Sequence, residues 1–345
     1  MILVTGAAGF IGSNFVHSWL KECQEDVLSY DSLTYAGNLK NLSSLENNKN
    51  HLFIKGDISD TKKLSKVLLE HKPRAIINFA AETHVDRSIK DPRIFFETNV
   101  MGTYNLLQTS CFYWKNLDVD KKKNFRFLHI STDEVFGSLE LGEDSFKETD
   151  QYRPNSPYSA SKASSDHIVR SFFRTFNFPV ITSNCSNNYG PYQFPEKLIP
   201  LAILNLISGK KVPIYGDGKQ IRDWLHVLDH CEALRIILEN SKKGEVYNIG
   251  GNNEMKNIEV IELIGNILKS KESLNKQLNN QDLISFVDDR PGHDLRYSVN
   301  SEKINFNFGW EPKRLFEKGI EETIDWYLDN PEWINSVKKK VNSSP

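Results

Sequence analysis

The opening segment Ile2-Leu-Val-Thr5-Gly6-Ala-Ala-Gly9-Phe10-Ile11-Gly12 constrains this 345-residue chain more than any other. A short apolar, β-branched run reads as a buried strand, and the apolar residues after Gly9 read as a helix. Three glycines at that junction have stated uses. They allow a tight turn, let the backbone approach a pyrophosphate, and let the helix pack on the strand. The helix amino terminus then offers N–H groups and partial positive charge to the anion. Asp31 lies 19 residues beyond Gly12, at the end of the next apolar run, Val27-Leu-Ser-Tyr30. An acid there accepts ribose hydroxyls and repels a 2′-phosphate, so the pattern favours NAD over NADP. Asp57, in Gly56-Asp57-Ile58, ends a third run; it suits an adenine contact and equally a turn or helix cap.

Further runs follow at Leu52-Phe-Ile54, Ala75-Ile-Ile-Asn-Phe79, Phe127-Leu-His-Ile130 and Val180-Ile-Thr-Ser183. Segments with helical spacing, such as 61–70 and 103–114, separate them. Continuous apolar strands alternating with helices predict an α/β fold, a Rossmann-type doubly wound parallel sheet. After about Asn187 prolines cluster at 191, 195, 200 and 213 and the rhythm changes. A smaller, interleaved C-terminal substrate domain is expected there. The division predicted is residues 1–186 with 224–252 for the cofactor domain, and 187–223 with 253–345 for the second. Residues 269–282 read as a solvated helix end and loop, and the runs Lys121-Lys-Lys123 and Lys338-Lys-Lys340 as solvated faces.

Several classes are excluded by composition. A net charge of −2, from 43 basic and 45 acidic residues, gives no global field for nucleic acid. Four cysteines without a C-x-x-C pair argue against a disulfide framework or a cysteine zinc site and fit a reducing cytoplasm. His84, His226, His230 and His293 show no metal spacing, so no metal is expected. The first residues enter a strand without a basic segment, so no secretory signal is expected. The apolar stretch 198–207 is too short to span a bilayer of about 30 Å. Phe10, Phe79, Phe127 and Trp224 read as core or cavity wall.

Two motifs carry chemistry. Tyr158-Ser-Ala-Ser-Lys162 places a phenol and an ammonium on one helix face. A phenolate at neutral pH needs a shift of about 3 units from about 10, which a lysine and an oxidised nicotinamide can supply. Ser131-Thr132-Asp133-Glu134-Val135-Phe136-Gly137 follows a central strand, at the edge where open α/β sheets bind ligands. The Thr132 hydroxyl there suits a substrate hydroxyl. Asp133 and Glu134, confined together, cannot both ionise freely, which yields an acid and a base at one pH.

With these motifs the chain resembles the extended short-chain dehydrogenase/reductases, and specifically the nucleotide-sugar 4,6-dehydratases of the dTDP-glucose type. The resemblance spans nearly the whole sequence. It includes Tyr30-Asp31-Ser32-Leu33-Thr34-Tyr35-Ala36-Gly37-Asn38, Ala80-Ala81-Glu82-Thr83-His84-Val85-Asp86-Arg87-Ser88 and Asn184-Cys185-Ser186-Asn187-Asn188-Tyr189-Gly190-Pro191. It continues through Phe194-Pro195-Glu196-Lys197-Leu198-Ile199-Pro200, Gly216-Asp217-Gly218-Lys219-Gln220-Ile221-Arg222-Asp223-Trp224 and Asp289-Arg290-Pro291-Gly292-His293-Asp294. Ser32 stands where lysine is usual and Thr83 where serine is common.

The resemblance implies NAD held by Gly6, Gly9, Phe10, Ile11, Gly12, Asp31, Ser32, Leu33, Thr34, Asp57, Ile58, Phe79, Ala80, Ala81, Thr83, Thr98, Tyr158, Lys162 and Asn188. It implies a nucleotide sugar held by Thr83, Thr132, Asn187, Lys197, Leu198, Pro213, Tyr215, Arg222, Asn257, Arg290 and His293. Arg222 and Arg290 would serve as bidentate donors to the diphosphate. Tyr158 would take the 4-hydroxyl proton as hydride leaves C4, and Lys162 would hold the ribose. Glu134 would remove the C5 proton, Asp133 would protonate the departing 6-hydroxyl, and hydride would return to C6. A homodimer is implied, with helices starting near Phe95 and at Tyr158 packing on their copies. UDP-glucose as substrate and a UDP-sugar 4-epimerase are the alternatives. The epimerase has no use for an acid–base pair acting at C5 and C6.

Overall fold

The computed structural model describes residues 1–271 and 282–343, with side chains up to residue 337. Helix Asn257–Ser270 ends inside the stretch 269–282 that was read as a solvated helix end and loop, and residues 272–281 of that stretch lie outside the described residues.

Ile2 and Val4 of β1 (Ile2–Thr5) enter one hydrophobic core and Leu3 enters another, each fully buried. Alternate side chains of an extended segment point to opposite faces, so both faces of this sheet are covered. The sheet contains β2 (Val27–Asp31), β3 (His51–Lys55), β4 (Ala75–Asn78), β5 (Arg126–Thr132), β6 (Val180–Cys185) and β10 (Val246–Ile249). Seven parallel strands take the order β10-β6-β5-β4-β1-β2-β3. The chain moves outward from β1 through β2 to β3, then returns to β4 on the other side. That reversal between β1 and β4 opens a crevice beyond their carboxyl ends. Helices Phe10–Cys23 and Val227–Asn240 cover one face through Phe15, Val16, Trp19, Leu234 and Ile237. Helices Thr61–His71, Thr103–Lys115 and Pro157–Phe176 cover the other through Leu64, Leu68, Leu106, Leu107, Val169 and Phe172.

A second core gathers Ile199, Ile203, Leu206, Ile214, Val260, Ile264, Leu268, Ile320 and Ile324. Around it lie β7 (Asn187–Tyr189), β9 (Ile221–His226) and β11 (Glu254–Lys256) in one small sheet, and β8 (Val212–Tyr215) paired with β12 (Ile284–Val287). Helices Leu198–Ile207, Asn257–Ser270 and Phe316–Asp329 pack on these strands. The chain leaves the large sheet after β6, comes back for 227–249, and leaves again, so the two units interleave. Ile304 and Trp310, from the stretch that the sequence reading gave to the second unit, pack in the first core. No helix among the described residues is long and apolar enough to cross a membrane.

Candidate active site

The loop after β1 forms a cradle. Gly6 has φ +65°, and a Cβ there would stand 2.6 Å from Ala80 N; at Gly12 it would stand 2.2 Å from Gly6 O. Only glycine lets the loop, the end of β4 and the first helical turn come this close. Helix Phe10–Cys23 starts at Gly9 with no side-chain cap, so its first N–H groups have no capping partner from a side chain. This geometry fits the pyrophosphate of NAD. Asp31 is buried beside the cradle. Its Oδ2 accepts from Ala8 N at 2.9 Å and its Oδ1 from Leu33 N at 2.7 Å, which fixes the carboxylate's orientation.

Thr132 ends β5 and caps a short 3₁₀ turn, Asp133–Phe136, by accepting from Glu134 N at 3.3 Å. The turn thereby presents Asp133 and Glu134 at the carboxyl edge of the sheet. Facing it, Pro157–Phe176 begins with a capping box between Ser156 and Ser159 and a proline in its first turn, a strong helix start. Ser88 Oγ accepts from Tyr158 N at 3.2 Å and anchors that first turn. Tyr158 and Lys162 are buried, and Lys162 Nζ donates to Ile130 O at 2.7 Å.

Two connected cavities meet here. The first, of about 240 Å³, is lined by Gly6, Gly9, Phe10, Ile11, Gly12, Phe79, Ala81, Thr83, Thr132, Asp133, Tyr158 and Lys162. The second, of about 500 Å³, lies under the smaller unit and is lined by Leu198, Pro213, Tyr215, Arg222, Asn257, Arg290 and His293. Glu134, Asn187, Asn188 and Lys197 line both. Glu134 therefore stands where the two spaces join.

Burial decides the charge states. The Asp133 carboxyl is pushed well above its usual range, first by desolvation, then by the Glu134 and Asp223 charges. Glu134 is also raised by burial, but Arg290, Lys197 and Arg222 pull it back. The two carboxyls are thus set apart: Asp133 holds its proton the more strongly, and Glu134 is restrained by three cations. Tyr158 departs from the sequence expectation. Within the protein its phenol is raised well above its ordinary value by burial, then by Glu134 and Cys185, with the Thr132 hydroxyl pulling the other way. Lys162 is not among those influences, because its ammonium points at the Ile130 carbonyl. The cation of the nicotinamide ring is the positive charge that remains to favour a phenolate.

Several expected residues sit outside the two linings. Ser32, Leu33 and Thr34 lie on the loop after Asp31, Leu33 with φ +57°. Asp57 Oδ1 accepts from Ser59 N and Oγ, a turn-capping role, and Ile58 packs in the core beside Gly102. Ala80 follows β4, and Thr98 is half-buried on the π-helical segment Phe96–Gly102. Asn188 lines both cavities, yet its side chain is held between Ser186 O and His230. Arg222 is less open than a phosphate donor was expected to be. It donates to the carbonyls of Ile221 and Asp294 and stacks on Tyr297 at 4.3 Å. Arg290 lies 3.5 Å from Asp86, and its buried Nε has no protein partner.

Other lining residues went unassigned in the sequence: His84, Asp86, Gln193, Glu196 and Tyr297. The first four stand in or beside motifs already singled out. Tyr297 carries no local signal and reaches the cavity only through packing on Arg222. Among the described residues no cluster of three or more His, Cys, Asp or Glu could hold a metal.

Known proteins match this arrangement along the chain. The profile of the GDP-mannose 4,6-dehydratase family matches residues 3–323. The dTDP-glucose 4,6-dehydratase of Xanthomonas campestris pv. campestris is 53% identical over 336 residues, covering 97% of this chain and 95% of that one. The crystal structure of the Bacillus anthracis dTDP-glucose 4,6-dehydratase in complex with NAD superposes with a TM-score of 0.84 at 46% identity, covering 97% of this chain and 99% of that chain. The Streptomyces venezuelae enzyme of the same name, also solved with NAD, gives 0.88 at 41% identity, with 97% and 99% coverage. The fold is thus shared end to end, and the chain belongs to the GDP-mannose 4,6-dehydratase family, in which its relatives are dTDP-glucose 4,6-dehydratases.

Proposed function

We propose that the protein is a dTDP-glucose 4,6-dehydratase, with NAD in the larger unit and the nucleotide sugar under the smaller one. The observation that carries this reading is the position of Glu134, at the junction of the two cavities and beside Asp133, whose carboxyl is pushed well above its usual range by burial. When bound, NAD accepts a hydride from the sugar and later returns it. The chain's residues do the rest. Thr132 and Tyr158 hold the 4-hydroxyl, and Tyr158 takes its proton as the C4 hydride departs. The ketone at C4 acidifies the C5 hydrogen, which Glu134 removes. Asp133 gives its proton to the 6-hydroxyl, which leaves as water. Glu134 returns its proton to C5 as hydride arrives at C6 and the 4-keto-6-deoxy sugar forms; the proton that Tyr158 took from the 4-hydroxyl passes to solvent, and Asp133 regains the one it gave to the departing water. Arg222, Arg290 and Lys197 supply positive charge for the diphosphate, and Tyr215, Asn187, Asn257 and His293 wall the nucleotide site.

The test is turnover of dTDP-glucose against UDP-glucose, read by mass spectrometry and by the state of the cofactor. Loss of one water from dTDP-glucose with no net consumption of NAD supports the reading. Preferred turnover of UDP-glucose, C4 epimerisation without loss of water, or reduced cofactor building up one for one with product overturns it.

A homodimer belongs to the same reading. Ile94, Phe96, Met101, Phe112 and Phe176 are exposed on the helical segments around 93–115 and 157–176, and a second copy is the partner expected to cover them. Phe95 itself is fully buried and meets Tyr158 edge-on. A cytoplasmic location is supported by four free cysteines, three of them buried.

A further inference from the structure

Tyr158, Lys162 and Asp166 recur every fourth residue on Pro157–Phe176, so they form one row along that helix. The first two are the redox pair of the reading above, and the third has had no role. Asp166 is only 6% exposed. Its Oδ2 accepts from Ser131 Oγ at 2.7 Å and from Tyr152 Oη at 3.1 Å, and its Oδ1 lies 3.3 Å from His129 Nε2. Tyr152 Oη accepts in turn from Asn184 Nδ2 at 3.3 Å, which also donates to Thr132 O at 3.2 Å. The carboxylate thus reaches the strand end that carries Thr132, Asp133 and Glu134 by two routes.

A buried carboxylate is costly unless a positive charge balances it. Its hydrogen-bond donors are neutral hydroxyls. His129 is neutral as well, since complete burial and then the Lys162 charge push its pKa down. The cation left is Lys162, one helical turn away. Lys162 has the reciprocal need: it is 4% exposed and its ammonium meets only a carbonyl. The groups that face it are Tyr158 and Asp166 from its own helix, His129 from β5 and Cys185 from β6. Burial holds Tyr158 and Cys185 protonated, the thiol at about 12. Asp166 is therefore the standing negative charge in this set.

We propose that Asp166 is a positioning residue of the dehydration: its carboxylate is the buried counter-charge that keeps Lys162 an ammonium, the form in which it holds the cofactor ribose in place for the C4 hydride transfer. The proposal rests on the function inferred above. Two charges separated by about 6 Å at an effective dielectric of about 20 bias the lysine equilibrium roughly 100-fold. Asp166→Asn retains the shape and removes that bias. Mixed with dTDP-glucose in a single turnover, this variant is expected to form reduced cofactor about 10–100-fold more slowly, with kcat reduced and KM within about twofold. Ser131→Ala combined with Tyr152→Phe removes both hydrogen bonds but keeps the charge, and is expected to lose much less. A normal rate in Asp166→Asn, or an equal loss in the double variant, overturns the proposal. A second readout needs no substrate. With ¹³Cε-labelled lysine, the Lys162 signal, identified by its absence in Lys162→Arg, is expected to titrate at a markedly lower pH in Asp166→Asn than in wild type, and an equal midpoint in the two overturns the proposal; in wild type the signal is expected to report an ammonium at pH 7.5. A neutral amine there overturns the proposal. If wild-type protein leaves dTDP-glucose unchanged, the functional reading fails while the lysine signal still decides the role of Asp166.

Discussion

Replacing Glu134 by Gln separates the steps of the proposed reaction most cleanly, because the structure predicts a different sign for each. The amide keeps the side chain's shape and loses its charge. Glu134 is the largest charge acting to raise the Tyr158 phenol, so its loss favours phenolate and leaves C4 oxidation intact or faster. Arg290, Lys197 and Arg222 lose the carboxylate that they partly neutralise, so diphosphate affinity holds or tightens. Asp133 keeps its proton, since burial is the first cause of its raised pKa and Glu134 only the second. Elimination alone loses its base. General acid–base groups contribute about 10²–10⁴-fold, or roughly 3–5 kcal/mol of barrier at 1.36 kcal/mol per decade. The variant is therefore expected to oxidise C4 and stall. Rapid mixing with dTDP-glucose should show enzyme-bound reduced nicotinamide rising to a plateau, with C5 hydrogen exchange and 6-deoxy product slowed by that factor. Near-normal turnover would refute the reasoning. So would loss of C4 oxidation along with elimination, or affinity for the nucleoside diphosphate dTDP weakened more than about tenfold, because each contradicts a sign stated above.

Three further outcomes follow from the same geometry. Tyr158→Phe should bind substrate and NAD but form no reduced cofactor, because the base for the 4-hydroxyl is gone; rapid-scan absorbance checks this. Gly12→Ala should lose NAD and melt at a lower temperature, since its methyl would stand 2.2 Å from the Gly6 carbonyl; overpacking against backbone costs about 1–3 kcal/mol, read by calorimetry and by the cofactor content of the purified protein. His230 is buried, bonds Asn188 through Nδ1, and has its pKa lowered by burial to about 3. The unfolded chain binds a proton there below about pH 6.5, so this group's contribution to stability is present above that pH and is lost as the pH falls toward 3. Denaturant unfolding of wild type and His230→Asn between pH 7 and pH 4.5 should show the wild type losing stability more steeply; equal slopes would contradict it.

Much of the fold was legible because its signals are local. The first strand, the glycine turn and its helix lie within residues 2–23, and β4 and most of β5 and β6 are buried runs with apolar residues, as burial on both faces requires, while the edge strand β3 is half-exposed. The Tyr158/Lys162 pair was legible for the same reason, as a one-turn spacing. Other residues have no local signature. Ile58 looked like a cofactor contact and instead fills the core over Gly102. Ile304 and Trp310 follow the second unit in sequence but pack in the first, because Glu302–Phe308 lies against β10. Tyr297 reaches the larger cavity from a segment without a motif, and Asp166 looked like any polar helical residue.

By itself, then, the sequence determined the strand–turn–helix cradle, the parallel sheet and the acid pair at the end of β5. Tertiary structure alone decided how those groups are charged and which of them meet. Asp133 and Glu134 are neighbours of one residue type, yet complete burial and Asp223 raise the first while Arg290, Lys197 and Arg222 restrain the second. The three cations lie between 63 residues (Lys197) and 156 residues (Arg290) beyond Glu134 along the chain, and are brought in only when the smaller unit folds over the sheet edge. Desolvation and Coulomb interaction depend on distance through space and on what excludes water, and neither is written in the order of residues.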